Sequence, residues 1–263
     1  MAIHPSAIVH PSAQIGADVE IGACAIIREE VVIGDGSIIH PHALIDRYTR
    51  LGERNEIFFC AALGGPPQDR KFRGERSDLV IGDGNLIREF VTIHRATGEG
   101  LSTVIGSDNM LMAYAHLGHN CRVGNGVTMA NAAMVGGHSR IDDRAVIGAM
   151  VGLHQFMRVG ELAMIGGYSR VVQDVPPFMM AEGRPSEVVG LNSVGLRRAQ
   201  VPPEVQNDLK TAHRLLYRSN LNRSQALQRI REEVNSSREI QVLVDFLSRI
   251  KEGRVGRQLD RKT

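Results

Sequence analysis

The chain has 263 residues and a net charge of +2, with 43% hydrophobic residues but only 4% aromatic and no tryptophan, so any core has to be built from aliphatic side chains. No apolar run reaches the roughly 18 residues of a membrane span, and the first residues lack the basic-then-apolar order of a signal peptide, which argues against membrane insertion and predicts a soluble, cytoplasmic protein. Cys24, Cys60 and Cys121 are odd in number and lack paired zinc spacing, so reduced thiols that fill space are expected, with no disulfide and no metal site.

A six-residue period begins at Ile3 and runs through Val9, Ile15 and Ile21 to Leu63 without a break. Of the 29 positions in this phase from 3 to 171, 26 are aliphatic, and neither helices nor ordinary strands repeat at six. Such a hexapeptide period is the signature of a parallel β-helix, in which three hexads close one triangular coil. The residue after the aliphatic is often glycine, as at Gly16, Gly34 and Gly106, and is read as supplying a corner conformation closed to other residues. Twenty-nine hexads predict just under ten coils, a prism roughly 45 Å long at about 4.8 Å per coil.

The three exceptions, Asp69, Glu75 and Glu99, fall in two segments expected to be external loops, near 64–78 and 97–102. Asp69 and Lys71 in the first are either solvated loop charges or site residues, since a long loop leaving a regular prism is a usual place for function. The third run, from Ile105 to Val171, carries His116, His119, His138 and His154. Steps near eighteen put the last three along one flank of the prism; any one alone could be a plain surface residue, but alignment favours a site. Gly166-Gly167 either serves a corner or leaves room beside a ligand.

After Val171 the period stops at Gln173-Asp174-Val175-Pro176-Pro177, and helical spacing follows. Three helices are expected: one behind Pro202-Pro203 carrying Val205, Leu209, Ala212, Leu215 and Leu216, a second on Leu227, Ile230 and Val234, and a third from Ile240 to Ile250, stopped by Gly253. The last ten residues, polar and basic, are expected to be loose. The chain is thus divided into a β-helix over 1–185 and a helical domain over 186–263. The latter holds 15 Lys+Arg against 9 Asp+Glu. That excess suits an anionic partner, or is simply a solvated helix surface.

Several segments together are similar to the UDP-N-acetylglucosamine O-acyltransferase family. They are the loop Gln68-Asp69-Arg70-Lys71-Phe72-Arg73-Gly74-Glu75, the strand Ile93-His94-Arg95, and the motifs His116-Leu117-Gly118-His119-Asn120-Cys121, Gly136-Gly137-His138 and His154-Gln155-Phe156. Gln173 to Pro177, Asn192 and Arg197-Arg198 extend the resemblance to nearly the whole chain. It implies a left-handed parallel β-helix with a C-terminal α-helical domain, forming a homotrimer with clefts between subunits. The activity implied is transfer of a 3-hydroxyacyl chain from acyl carrier protein to the 3-hydroxyl of UDP-N-acetylglucosamine, the first step of lipid A biosynthesis, with no cofactor, nucleic acid or metal. By the same resemblance His119 is the general base and the Gly137 amide the oxyanion donor. Gln68, Asp69, Lys71, His116, His138, His154, Gln155, Asn192 and Arg198 match substrate contacts, and Gly167 matches the position that gauges acyl length, with 3-hydroxymyristoyl the chain expected. The sequence departs from the family pattern at Asn120, where many members have Asp, and at Val194 and Ala199, where Glu and a basic residue are usual. Three other readings compete: a γ-class carbonic anhydrase with histidine-bound metal, which needs neither the loop nor the helices; the related pathway N-acyltransferase, which usually carries an extra N-terminal domain; and a purely structural solenoid, which leaves the flank histidines and the loop unexplained.

Overall fold

A computed structural model describes residues 2–261. From Ala2 to Val171 the chain winds as a left-handed parallel β-helix whose short strands stack into three sheets of nine, nine and eight strands, the first lengthened to eleven by two strands that follow. Register is set by the hexad: Ile3 lies beside Ile21, Val9 beside Ile27 and Ile15 beside Ile33, each eighteen residues on. Every phased aliphatic from Ile21 to Val171 points inward and is almost fully buried. Each such Ile, Leu or Val contributes about 1.5 to 3 kcal/mol of transfer free energy, much of it offset by the ordering of the chain.

Both loops preserve the phase because they insert whole hexads. Leu51 pairs with Ile81, thirty residues on instead of eighteen, and Ile81 pairs with Ile105, twenty-four on. The inserted residues are therefore twelve and six, and the three hexads they hold are not coil. That leaves nine coils among the described residues, matching the nine strands of the second sheet, one fewer than the hexad count suggests. The prism is accordingly about 40 Å long.

The corner conformation is not where the glycines are. The left-handed residue is two positions after the expected glycine and is usually not glycine: Cys24, Glu30, His42, Tyr48, Arg54 and Cys60 all have φ between 57° and 62° except Arg54 at 52°. Gly34 has ordinary backbone angles, but a Cβ there would stand 2.5 Å from the Gly52 carbonyl group of the next coil. Glycine is required at this position for close stacking of backbones, not for its φ. Each left-handed non-glycine residue costs roughly 1 to 2 kcal/mol, offset by coil-to-coil hydrogen bonds such as His42 N–H to the Ala23 carbonyl.

At the end of the prism the coil shortens. Ile165 pairs with Ala181, sixteen residues on, after the Pro176-Pro177 pair has removed two backbone donors. The strand Met179–Gly183 extends the first sheet and turns back as the antiparallel strand Ser186–Leu191. Four α-helices follow, one more than expected: α1 (Ser193–Arg198), α2 (Pro203–Tyr217), α3 (Arg223–Glu233) and α4 (Arg238–Arg249). The hairpin and α1 escape sequence reading because a six-residue helix has too few turns to show a period. Asn222 with Gln225 forms a capping box on α3, and Ser237 caps α4. The helices enclose a second apolar core with Leu162, Phe178 and Met179 from the prism end. The segment after α4, expected to be loose, instead packs back on the prism, with Gln258 only 7% exposed. Residues 262 and 263 lie outside the described chain.

Candidate active site

One corner of the prism gathers most of the residues picked out above. His119, Gly137 and Gln155 each lie two positions after an inward aliphatic of the second sheet, on successive coils, and the outward face of that sheet carries His116. A cavity of about 410 Å³ opens there, lined among others by Gln68, His94, His116, His119, Gly137 and Gln155. His138 sits one position further round the corner, its ring centroid 5.0 Å from that of His119 and edge-to-face with it, and stacks at 4.8 Å on Phe156.

The orientation of His119 follows from the second loop. Asn120, left-handed at φ 59°, has an amide held by both backbone groups of Thr97: Oδ1 accepts the Thr97 N–H at 2.9 Å and Nδ2 donates to the Thr97 carbonyl at 3.0 Å. This leaves Oδ1 facing His119 Nδ1 at 2.7 Å. Oδ1 can only accept, so Nδ1 carries the proton and Nε2 keeps its lone pair. Nε2 lies 4.0 Å from Asp69 Oδ2 and points toward Gly137, where an added Cβ would come within 2.7 Å of it. Gly137 thus makes room for the imidazole. Its own N–H has no hydrogen-bond acceptor among the described residues, and a Cβ on Gly118 below would stand 2.8 Å from that nitrogen. Two missing side chains therefore let the Gly137 N–H and the imidazole lone pair lie side by side, although Gly137 itself is buried.

The three residues that break the hexad phase each tie a loop together. Asp69 accepts the Lys71 N–H at 3.0 Å, which holds its carboxyl below the ordinary range. Glu75 accepts N–H groups from Arg73 at 2.7 Å and from Gly98 at 2.9 Å, joining the first loop to the second, and its carboxyl is lowered by these bonds. Glu99 accepts the Arg76 N–H at 3.1 Å. Polar residues stand at these phased positions because the chain there leaves the prism and its backbone donors need acceptors.

Three imidazoles of the site are held below the ordinary histidine range. Burial lowers His94 to about 4, and burial also lowers His116 and His138. His116 Nδ1 is 2.8 Å from Thr92 Oγ1, and His94 packs edge-on against His116 at 5.0 Å with its buried Nδ1 unpartnered. Cys121, beside Asn120, is no nucleophile, because burial pushes its thiol up to about 12.

Other predicted residues lie elsewhere within one chain. Lys71 is exposed on the loop, and His154, on the outer side of the same corner, is exposed with Nδ1 3.1 Å from the Gln155 carbonyl. Asn192 is 9% exposed and caps α1: its Oδ1 accepts the Gly195 N–H at 2.9 Å and its Nδ2 donates to the Leu162 carbonyl at 2.8 Å. Arg198 is exposed at the end of α1. Gly167 is exposed at the other edge of the second sheet, and a Cβ there would meet only Ala149 backbone, at 3.3 Å or more. His94, Met134 and Gly152 line the cavity but were missed as site residues. The signal existed: Met134 and Gly152 follow His116 at steps of eighteen, and His94 precedes Gly118 by the twenty-four-residue step. Among the described residues of one chain no three His, Cys, Asp or Glu side chains are grouped to hold a metal ion.

A family profile described as Udp N-acetylglucosamine O-acyltransferase, domain 2, matches residues 174–255, and the profile of bacterial transferase hexapeptides (six repeats) matches 12–47 and 102–137. The chain is 44% identical over 255 residues to the acyl-(acyl-carrier-protein):UDP-N-acetylglucosamine O-acyltransferase of Syntrophobacter fumaroxidans, covering 96% of this chain and 99% of that one. It is 48% identical over 204 residues to the protein of the same name from Gloeothece citriformis, covering 78% and 74%. Among solved structures, a UDP-N-acetylglucosamine acyltransferase from Bacteroides fragilis superposes with a TM-score of 0.90 at 44% identity, covering 92% of this chain and 95% of that one.

Proposed function

The chain belongs to the UDP-N-acetylglucosamine O-acyltransferase family, and on that footing we propose that it moves a 3-hydroxyacyl chain from acyl carrier protein to the 3-hydroxyl of UDP-N-acetylglucosamine, with His119 as general base. The observation that carries the residue roles is the Asn120 amide, clamped by Thr97 so that His119 Nε2 is left as the free base beside the Gly137 N–H.

His119 Nε2 takes the proton of the sugar hydroxyl as its oxygen attacks the thioester carbonyl. The Gly137 N–H donates to the oxyanion that develops; one such fixed donor is commonly worth about 3 to 4 kcal/mol of barrier. Collapse of the intermediate expels the carrier thiolate, which recovers the proton from the imidazolium, while ionised Asp69, 4.0 Å from Nε2, favours the transient cation. Neutral His116 and His138 suit hydrogen bonding to sugar and acyl groups better than neutralising phosphate. Lys71 on the loop and Arg198 on α1 are the cations available for phosphate, with Gln68, His154, Gln155 and Asn192 as further contacts.

One chain leaves this site open on one side, and Asn192 and Arg198 are not part of its cavity wall. A homotrimer, in which a neighbouring subunit brings its helical region to the cleft, accounts for both. The basic excess of residues 186–263 suits docking of an acidic carrier protein, and the site of action is the cytoplasm. The test is incubation with UDP-N-acetylglucosamine and a panel of acyl carrier protein thioesters, followed by mass measurement of the product, with His119→Ala alongside. The wild type should yield the 3-O-acyl sugar nucleotide and the folded variant almost none; near-normal turnover by His119→Ala would remove the base assignment.

A further inference from the structure

The C-terminal segment returns to the prism at the back of the candidate site. Asp174 N–H donates to the Gly256 carbonyl at 2.9 Å, and Gln258 N–H donates to Asp174 Oδ2 at 3.0 Å, which fixes the backbone on either side of Arg257. Asp174 is itself held by Arg158, through Nε at 2.9 Å, and the Arg158 guanidinium in turn donates to the Phe246 carbonyl on α4 at 3.0 Å. Arg257 is thus aimed by a rigid surround. Its Nη2 bonds Asp260, its Nη1 lies 3.1 Å from His154 Nδ1, and its buried Nε has no acceptor among the described residues. A guanidinium with an unsatisfied buried donor is not placed there to its own advantage.

We infer that Arg257 is a positioning residue that sets the tautomer of His154, and thereby makes His154 Nε2 an N–H donor toward an oxygen of the bound substrate. A guanidinium has donors only, so the Arg257 contact requires Nδ1 to accept and the ring proton to sit on Nε2. The alternative is equally visible. His154 Nδ1 is also 3.1 Å from the Gln155 carbonyl, a contact that is a hydrogen bond only if Nδ1 carries the proton. One nitrogen cannot do both in a neutral ring. Arg257 selects the first state; without it the ring turns to the second, and Nε2, which has no partner among the described residues, meets an oxygen ligand lone pair to lone pair.

The inference rests on His154 touching substrate, as proposed above, but the tautomer can be read without any substrate. The protein is labelled with 15N-histidine and the two-bond nitrogen–proton spectrum recorded at about pH 8, where imidazole is neutral; His154→Gln identifies the signal. Wild type and Arg257→Lys, in which an ammonium likewise can only donate, should show the proton on Nε2, and Arg257→Ala should show it moving to Nδ1. In parallel, kcat/KM for acyl transfer should fall about tenfold in Arg257→Ala and recover in Arg257→Lys. An unchanged tautomer in Arg257→Ala overturns the inference, as does a changed tautomer with unchanged kcat/KM. Should the wild type transfer no acyl chain, the proposed function fails, while the spectra still decide whether Arg257 sets the ring.

Discussion

At the residue scale, Asn120 shows how a neutral amide serves where a carboxylate is usual. Its Nδ2 donates to the Thr97 carbonyl, a bond no carboxylate can make, so the amide suits this particular loop while still orienting His119. In Asn120→Asp the second carboxylate oxygen faces that carbonyl and the first favours the imidazolium. We expect activity to persist, with the acid limb of the pH profile of kcat/KM moved to higher pH; a superimposable profile would mean that residue 120 does not control the base. His94 yields a second prediction. The folded protein holds it at about 4, below the ordinary value of about 6.5, so the unfolded chain binds the extra proton. Its contribution to stability is complete above about pH 6.5 and is lost as pH falls toward 4. Urea midpoints measured across that interval should fall with acid in the wild type and fall less in His94→Asn, and equal slopes would refute the assignment.

The element scale belongs to the two loops. Glu75 accepts one N–H from its own loop and one from the other, so the pair moves as one body over the cavity. In Glu75→Ala the amides of Arg73 and Gly98 lose their acceptor. Hydrogen exchange should quicken at both residues together, and KM for the sugar nucleotide should rise several-fold more than kcat falls. Faster exchange confined to the first loop would contradict the cross-tie. The coil glycines teach a related lesson: Gly34 and Gly118 are needed because the next coil passes within van der Waals distance of their Cα, a demand that spacing alone does not distinguish from a demand for unusual φ.

For the whole molecule, the question is what covers the edge of the second sheet opposite the catalytic corner. Phe90, Tyr114, Met150 and Tyr168 project there, each 39% to 58% exposed, with Phe90 stacked on Tyr114 at 4.9 Å. A strip of this kind on a monomer is unusual, and sedimentation velocity should give the mass of a trimer; an active monomer would sink the shared-cleft proposal. Gly167 lies in the same edge, between Gly166 and Tyr168. It has no left-handed φ, and the tightest contact of an added Cβ would be 3.3 Å to the Ala149 carbonyl oxygen, so the coil demands glycine there less than at Gly34. With each methylene removed from water contributing about 0.8 kcal/mol, a long donor such as 3-hydroxymyristoyl should be preferred, and Gly167→Met should favour a shorter one. Identical donor rankings for the folded variant and wild type would show that this glycine does not measure the chain.

The six-residue recurrence of a core aliphatic was enough to read the prism from the sequence, but not its register across the two loops, where partners lie thirty and twenty-four residues apart instead of eighteen. The sequence also put His119, His138 and His154 along one flank, since steps close to eighteen bring residues onto successive coils, whereas His116, Gly137 and Gln155 entered only through the resemblance to the family. Tertiary structure alone decided the rest. Asn120 meets Thr97, twenty-three residues away, Asp69 meets His119, and Arg257 meets His154 from the far end of the chain, 103 residues on. None of these contacts is periodic. They arise where the chain leaves the prism and its side chains and backbone groups find partners in space, and those partners hold and orient each imidazole, which spacing along a sequence does not encode.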